Sequence, residues 1–180
     1  MTVAYVISAY KLPGQLIRLV RALQAPGRVF FIHVDRRTAD TVYDAMAAGL
    51  AVFDNVEFLP RHDCEWGDFG HVRATLKGLN RLAATGRTCD YVSLLTGQDY
   101  PIVSNASADE RLARADGHSF MNFQPLPVDG LEDGGWARLP ARELPYGLVP
   151  YFGSGYWTLH RTAVEYVRAF LRDQPARPPT

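Results

Sequence analysis

The chain has 180 residues, enough for one domain with a single sizeable core, and its 47% hydrophobic fraction excludes a disordered polymer. Nineteen basic side chains balance nineteen acidic ones, which removes any general attraction to nucleic acid or an anionic membrane while leaving room for a local phosphate site. Cys64 and Cys89 show neither CxxC nor Cys/His ligand spacing, so they read as reduced thiols, one or both buried, and not as a zinc site or a disulfide framework.

The N-terminus enters a strand-like run at once, without the basic start and apolar region of a signal peptide. Val3 to Ala9 is apolar and bounded by Lys11, Pro13 and Gly14, the pattern of a buried strand. Leu16, Leu19, Val20 and Leu23 recur at helical spacing, between Pro13 and Gly27. Arg28 to Asp35 (RVFFIHVD) is nearly all apolar, as a strand covered on both faces must be. Thr38 is placed to cap a helix running to about Leu50, with Gly49 near its end. Asn55 to Leu59 reads as a third strand. After a loop with Trp66, Gly67 and Gly70, a helix is predicted over 71–84 with Val72, Leu76 and Leu79 on one face. Asp90 to Leu95 reads as a fourth strand, Ala106 to Ala115 as a short polar helix and Ser119 to Phe123 as a fifth strand. Gln124 to Pro150 carries five prolines and four glycines, so it reads as a long loop, of a length that favours function. Tyr156 to Leu159 is the predicted last strand, followed by a helix over 162–171 and a proline-rich end.

This alternation predicts an α/β sandwich with a mostly parallel sheet. Ligands of such sheets bind beyond the carboxyl ends of the strands, which directs attention to the ends of the first, second and fourth. Asp35 and Arg37 follow the second: a carboxylate for a base or ribose and a guanidinium for phosphate, or a turn cap beside solvated arginines. Asp99 lies just past the fourth, either as a general base or as the residue that orders the turn before Pro101. Trp66 offers a flat platform for a sugar or base, or belongs to the core. The segment YFGSGYW, Tyr151 to Trp157, brings backbone close to a ligand or forms a tight turn under aromatics. The chain has no GxGxxG after a strand, no GxxxxGK[ST] and no GxSxG, which argues against dinucleotide, P-loop and hydrolase chemistry. No Asp-x-Asp follows a strand either, so a metal–diphosphate clamp has no candidate ligands. No stretch reaches the roughly 20 apolar residues that span a bilayer, and the expected location is cytoplasmic.

Taken in order, VAYVISAYKLPGQLIRLVRAL, FFIHVDRR, EWGDFGHVRATLKGLNRL, DYVSLLTGQDYPI and GSGYWTLHRTAVEYV resemble the core-2/I-branching β-N-acetylglucosaminyltransferase and xylosyltransferase family over nearly the whole chain. The resemblance implies a GT-A-like, Rossmann-type α/β/α sandwich. It also implies an inverting transfer of an N-acetylglucosamine- or xylose-type sugar from a UDP-sugar to a hydroxyl of a glycan, peptide or small molecule, without cofactor or divalent metal. By that resemblance Asp35 and Arg37 bind the uridine with Val34 contributing backbone. Trp66 and Gly67 line the donor pocket, Asp99 is the base, and Ser154, Tyr156 and Trp157 line the sugar or acceptor side. Tyr10 stands where many members carry histidine. Members continue past the region matching Tyr156 to Arg172, with a glutamate proposed as base in some and with basic residues that neutralise the diphosphate. The resemblance therefore implies a single domain over 1–173 lacking the family's C-terminal portion, while the proline-rich composition of 174–180 reads as a disordered tail. Arg161, Arg168 and Arg172 are the nearest basic substitutes, with Arg177 in the tail. The competing expectations are a truncated or degenerate, non-catalytic UDP-sugar-binding module and an α/β interaction domain without a ligand.

Overall fold

The structure is a computed structural model that describes residues 1–138 and 144–174. Its strands and helices are β1 (Val3–Ala9), α1 (Pro13–Leu23), β2 (Arg28–Val34), α2 (Asp40–Leu50), β3 (Val56–Phe58), α3 (Gly70–Ala84), β4 (Tyr91–Thr96), α4 (Asn105–Arg114), β5 (Phe120–Pro125), β6 (Tyr151–His160) and α5 (Arg161–Asp173). One sheet of order β3-β2-β1-β4-β6-β5 holds all six strands. β1 pairs in parallel with β2 and β4, and β2 with β3, whereas β6 runs antiparallel to both β4 and β5. The GT-A-like α/β/α sandwich with a mostly parallel sheet is therefore present, with β6 as its reversed strand.

The continuous apolar runs divide by parity between two cores. Val3, Tyr5, Ile7 and Ala9 of β1, with Phe30, Ile32 and Val34 of β2, face the layer of α1, α2 and the flank of α4. Ala4, Val6, Val29 and Phe31 face α3 and α5. Phe30, Phe31, Ile7 and Ile32 are fully buried, each stabilising the fold by roughly 1.5–3 kcal/mol through its side chain. α1 turns Leu16, Leu19, Val20 and Leu23 to this core, as their spacing predicts.

Several elements differ from expectation. Thr38 does not cap α2: Ala39 holds that position, and the Thr38 hydroxyl donates to the Tyr10 carbonyl at 3.1 Å, joining two loops. Gly49 lies inside α2, where a Cβ would meet Ile17 Cδ1 at 2.2 Å, so it permits α1 and α2 to approach. β3 is short, but bonds from Phe30 N to Asn55 O and from Leu59 N to Ile32 O extend its pairing over the predicted span. α3 buries Gly70, Ala74, Gly78, Leu79 and Leu82, while Val72 is exposed. Part of the long loop is structured: β5 reaches Pro125, tight turns with left-handed backbone at Asp133 and Tyr146 occupy Glu132–Arg138 and Pro145–Gly147, and β6 begins at Tyr151. Within it, residues 139–143 lie outside the described residues, as do 175–180 of the expected tail.

Both thiols are buried and unpaired with one another. Among the described residues, no helix is long and apolar enough to cross a membrane. α4 is held at the amino ends of the parallel strands. Asn105 Nδ2 donates to the carbonyls of Ala22 and Gln24, and the buried Arg28 guanidinium pairs with Asp109 at 2.5 Å. The stretch from Gly97 to Ser104 must therefore cross the molecule, leaving Gln98 and Asp99 at the opposite, carboxyl-end edge.

Candidate active site

Three loops meet where β1, β2 and β4 end. Asp35 N donates to Ala9 O at 3.0 Å, and Gly97 N to Ser8 O at 2.8 Å, so the loops after β2 and β4 are both fastened to the end of the central strand. Arg36 N reaches His62 O at 3.1 Å, which brings in the loop between β3 and α3.

Asp35 is buried at this junction. Burial alone would raise its carboxyl, but bonds from the Arg37 side chain and backbone and from the Cys64 backbone hold it below the usual carboxylate value. Arg37 grips it through its backbone N–H at 2.9 Å and Nη2 at 3.1 Å. The same guanidinium reaches Glu65 at 3.2 Å and the Cys64 carbonyl. Val34, fully buried against α1 and α2, can offer only backbone to a ligand.

Below Asp35, the His33 and His62 rings pack with centroids 4.0 Å apart beside Cys64. Burial, and then the neighbouring His62 and Lys77, push His33 down to about 4, so it is neutral near pH 7. Candidate metal-ligand atoms of His33, His62 and Cys64 lie within 4.8 Å of one another, yet the ring nitrogens are engaged. His33 Nε2 accepts from His62 N at 3.2 Å, which leaves the proton on Nδ1, facing the thiol at 3.9 Å. His62 Nδ1 accepts from Lys77 Nζ at 3.0 Å, so its Nε2 donates to Gly70 O at 2.9 Å. Burial also raises the Cys64 thiol. The group is a hydrogen-bonded floor already containing an ammonium, and it lacks the free lone pairs a metal requires.

Trp66 is 93% exposed, so it is no core residue, and Gly67 beside it takes φ 82° in open space. Their loop is anchored through Glu65 and Cys64 by Arg37. Beyond the ends of β1 and β4 lies a cleft of about 240 Å³, lined by Ser8, His71, Thr75, Thr96, Gly155 and Tyr156. A larger cleft of about 520 Å³ lies between α4 and the middle of β4, β6 and β5. It is away from the strand ends, and the smaller one, which lies at those ends, is the better candidate for chemistry. Tyr156 lines it, while the Ser154 hydroxyl accepts from Tyr156 N at 3.1 Å and borders a neighbouring recess with Phe123 and Tyr151. Trp157 does not join them, because it faces the other way and packs into the core under α3 and α5.

Asp99 orders its own turn: Oδ2 accepts from Thr96 N at 2.6 Å and its backbone N donates to Thr96 O at 3.2 Å. Its Oδ1 has no partner among the described residues. Tyr10 and Lys11 also stand at this rim, and hydrogen bonds from Lys11 and Gln98 lower the Tyr10 phenol. Reading the sequence missed His71, Thr75, Ser8 and Lys11, none of which carries a motif of its own. The distal arginines are elsewhere. Arg161 N bonds Asp90 O at the opposite end of β4, Arg168 reaches Asn80, and Arg172 pairs with Asp173. Arg177 lies outside the described residues.

The sequence model of the family described as Core-2/I-Branching enzyme matches residues 3–178. Xylosyltransferase 2 of Rattus norvegicus is 30% identical over 167 residues, covering 85% of this chain and 19% of that protein. N-acetyllactosaminide β-1,6-N-acetylglucosaminyl-transferase of Homo sapiens is 27% identical over 194 residues, covering 96% and 46%. The chain thus spans less than half the length of either relative. Among solved structures, 4-diphosphocytidyl-2C-methyl-D-erythritol synthase of Anaerococcus prevotii aligns over 99% of this chain and 78% of its own at 10% identity, with a TM-score of 0.49.

Proposed function

The chain belongs to the core-2/I-branching enzyme family, and from that premise we propose that it is a glycosyltransferase domain. It moves a sugar of N-acetylglucosamine or xylose type from a UDP-sugar to an acceptor hydroxyl, with inversion and without a divalent metal. The observation that carries this reading is the buried, ionised Asp35 at the end of β2, beside a cleft at the ends of β1 and β4 to which Ser8, His71, Thr75, Thr96 and Tyr156 contribute. A carboxylate there accepts hydrogen bonds from a ribose or base, and the few hydroxyls and the imidazole among the apolar lining of the cleft next to it suit a sugar. The absence of Asp-x-Asp supports metal independence.

In such a transfer the acceptor oxygen attacks the anomeric carbon from the face opposite the diphosphate. The bond from that carbon to the diphosphate breaks, its electron pair stays on phosphate oxygen, and the acceptor proton passes to a base. Asp99 is the carboxylate nearest the role, through Oδ1. Trp66 and Gly67 flank the nucleoside, and Tyr156 and Ser154 the sugar or acceptor.

A binding-only module is the second reading, favoured by the use of Asp99 Oδ2 in its own turn. Release of UDP from UDP-N-acetylglucosamine and UDP-xylose, measured with a panel of hydroxyl acceptors, decides between them. Turnover with an inverted product supports transfer, donor binding without turnover supports the module, and absence of both overturns the proposal.

A further inference from the structure

The loop between β3 and α3 does more than carry Trp66. Its first residues lie against the turn after β2 and hold the backbone of that turn. Arg36 N donates to His62 O at 3.1 Å, and Arg37 reaches the Cys64 carbonyl. The densest hold comes from the side chain of Arg61, which no motif marks. Its Nη2 donates among three carbonyls of the turn, Asp35 O at 3.3 Å, Arg36 O at 2.9 Å and Thr38 O. Its Nη1 pairs with Asp40, the first residue of α2, at 2.9 Å, and its guanidinium carbon lies 4.7 Å from the centre of the Tyr43 ring.

Three carbonyls within four residues converge on one cation only where the chain curls around it, so the shape of the turn depends on Arg61. That shape sets where the Asp35 carboxylate points, because Asp35 Oδ1 accepts the Arg37 N–H inside the same curl. Thr38 carries the hold onward through its hydroxyl to Tyr10 O, beyond β1. A planar guanidinium presents its donors as a fork, which meets the carbonyls on one side and Asp40 on the other; the point charge of a lysine cannot span both. The Arg61 side chain is only 18% exposed, and both terminal nitrogens are committed to the turn and Asp40, so it acts through Asp35 and not on a ligand. Packing alone does not account for it. Arg61 Nε is buried without a hydrogen-bond partner, a loss of stability that an apolar side chain of similar length would avoid.

We propose that Arg61 is a positioning residue of the nucleoside site, fixing the turn of residues 35–38 and with it the aim of the Asp35 carboxylate. This rests on the UDP-sugar reading above. The test compares the parent chain with Arg61→Met, Arg61→Lys, Asp35→Asn and the double variants that join Asp35→Asn to each Arg61 substitution. In excess chelator, calorimetry reads UDP and ligand-observed NMR reads uridine; amide hydrogen exchange reads the turn, and urea unfolding reads stability. Arg61→Met should weaken both ligands about tenfold. Arg61→Lys, which keeps the charge and guards against a failure to fold, should still weaken them about fivefold. Exchange at the amides of Arg36, Arg37 and Thr38 should quicken in both variants relative to those of β1. With Asp35→Asn already present, either Arg61 substitution should weaken binding by less than about twofold, because its route to the ligand is gone. A merely structural residue would lower stability but leave the losses at Arg61 and Asp35 independent. Parental affinity in the Arg61 variants, losses that multiply in full, or unchanged exchange in the turn would overturn the role of Arg61 while the nucleotide site stands. A parent that binds neither ligand overturns both.

Discussion

At Asp99, Oδ2 holds the turn through Thr96 N, and the proposed function assigns Oδ1 to the acceptor proton. Asp99→Asn separates them, since a carboxamide oxygen still accepts the Thr96 N–H. The variant should fold and bind UDP as the parent does while kcat falls about 10²–10⁴-fold. An unchanged rate of sugar transfer would leave Asp99 a turn residue only. His33 makes a second prediction. Its folded value of about 4 lies below the ordinary 6.5 because burial, and then His62 and Lys77, disfavour its charge. The unfolded chain therefore takes up the proton first, so stability is fully present above about pH 6.5 and is lost as the pH falls toward about 4. Between pH 7 and 5 this amounts to about 1–2 kcal/mol. His33→Gln keeps an acceptor for His62 N and removes the titration. Urea unfolding at the two pH values should show a smaller loss in the variant, and an equal loss would mean that His33 is not the group responsible. Asp35 and Arg37 were legible as a pair because they close the clearest strand. The cluster of His33, His62, Cys64 and Lys77 was not, because its members join only when the loop after β3 folds back under β2.

Among the elements, α3 shows why a helix face is hard to read from large apolar residues alone. Val72 was expected inside and is exposed, whereas Gly70, Ala74 and Gly78 face the sheet. The reason is proximity: a Cβ on Gly78 would lie 2.7 Å from both Val6 methyls, and one on Gly70 2.5 Å from Asp63 O. Gly78→Ala should therefore destabilise the protein by about 1 kcal/mol, because overpacking a rigid β-branched neighbour, at about 1–3 kcal/mol, outweighs a helix-propensity gain of about 1 kcal/mol. Thermal or urea unfolding checks this, and an equal or higher midpoint would mean that Val6 gives way. β6 was legible only at its inner end. Thr158 and Leu159 sit between β4 and β5 and look like a strand in sequence. Tyr151 to Gly155, mostly exposed and rich in glycine, pair only where β5 lies alongside.

For the whole molecule, the prediction is that UDP binds at the ends of β1 and β2 without a metal. Calorimetry in excess chelator should show saturable binding, and binding that appears only on adding Mn²⁺ or Mg²⁺ would overturn metal independence. The sequence by itself determined the α/β alternation, the strands buried on both faces and the order of motifs that marks the family, and it singled out the strand ends as the place to look for a ligand. Each of these is carried by local pattern: runs of apolar residues, turn-forming glycine and proline, and polar residues at strand exits. Tertiary structure alone decided the rest. It set the reversed direction of β6, turned Trp157 into the core and Tyr156 into the cleft, and carried Arg161 to the far end of the sheet. It also brought Arg61 against the turn after β2, far from it in sequence. Direction and proximity depend on which strands pair across long separations, and no local pattern records that pairing.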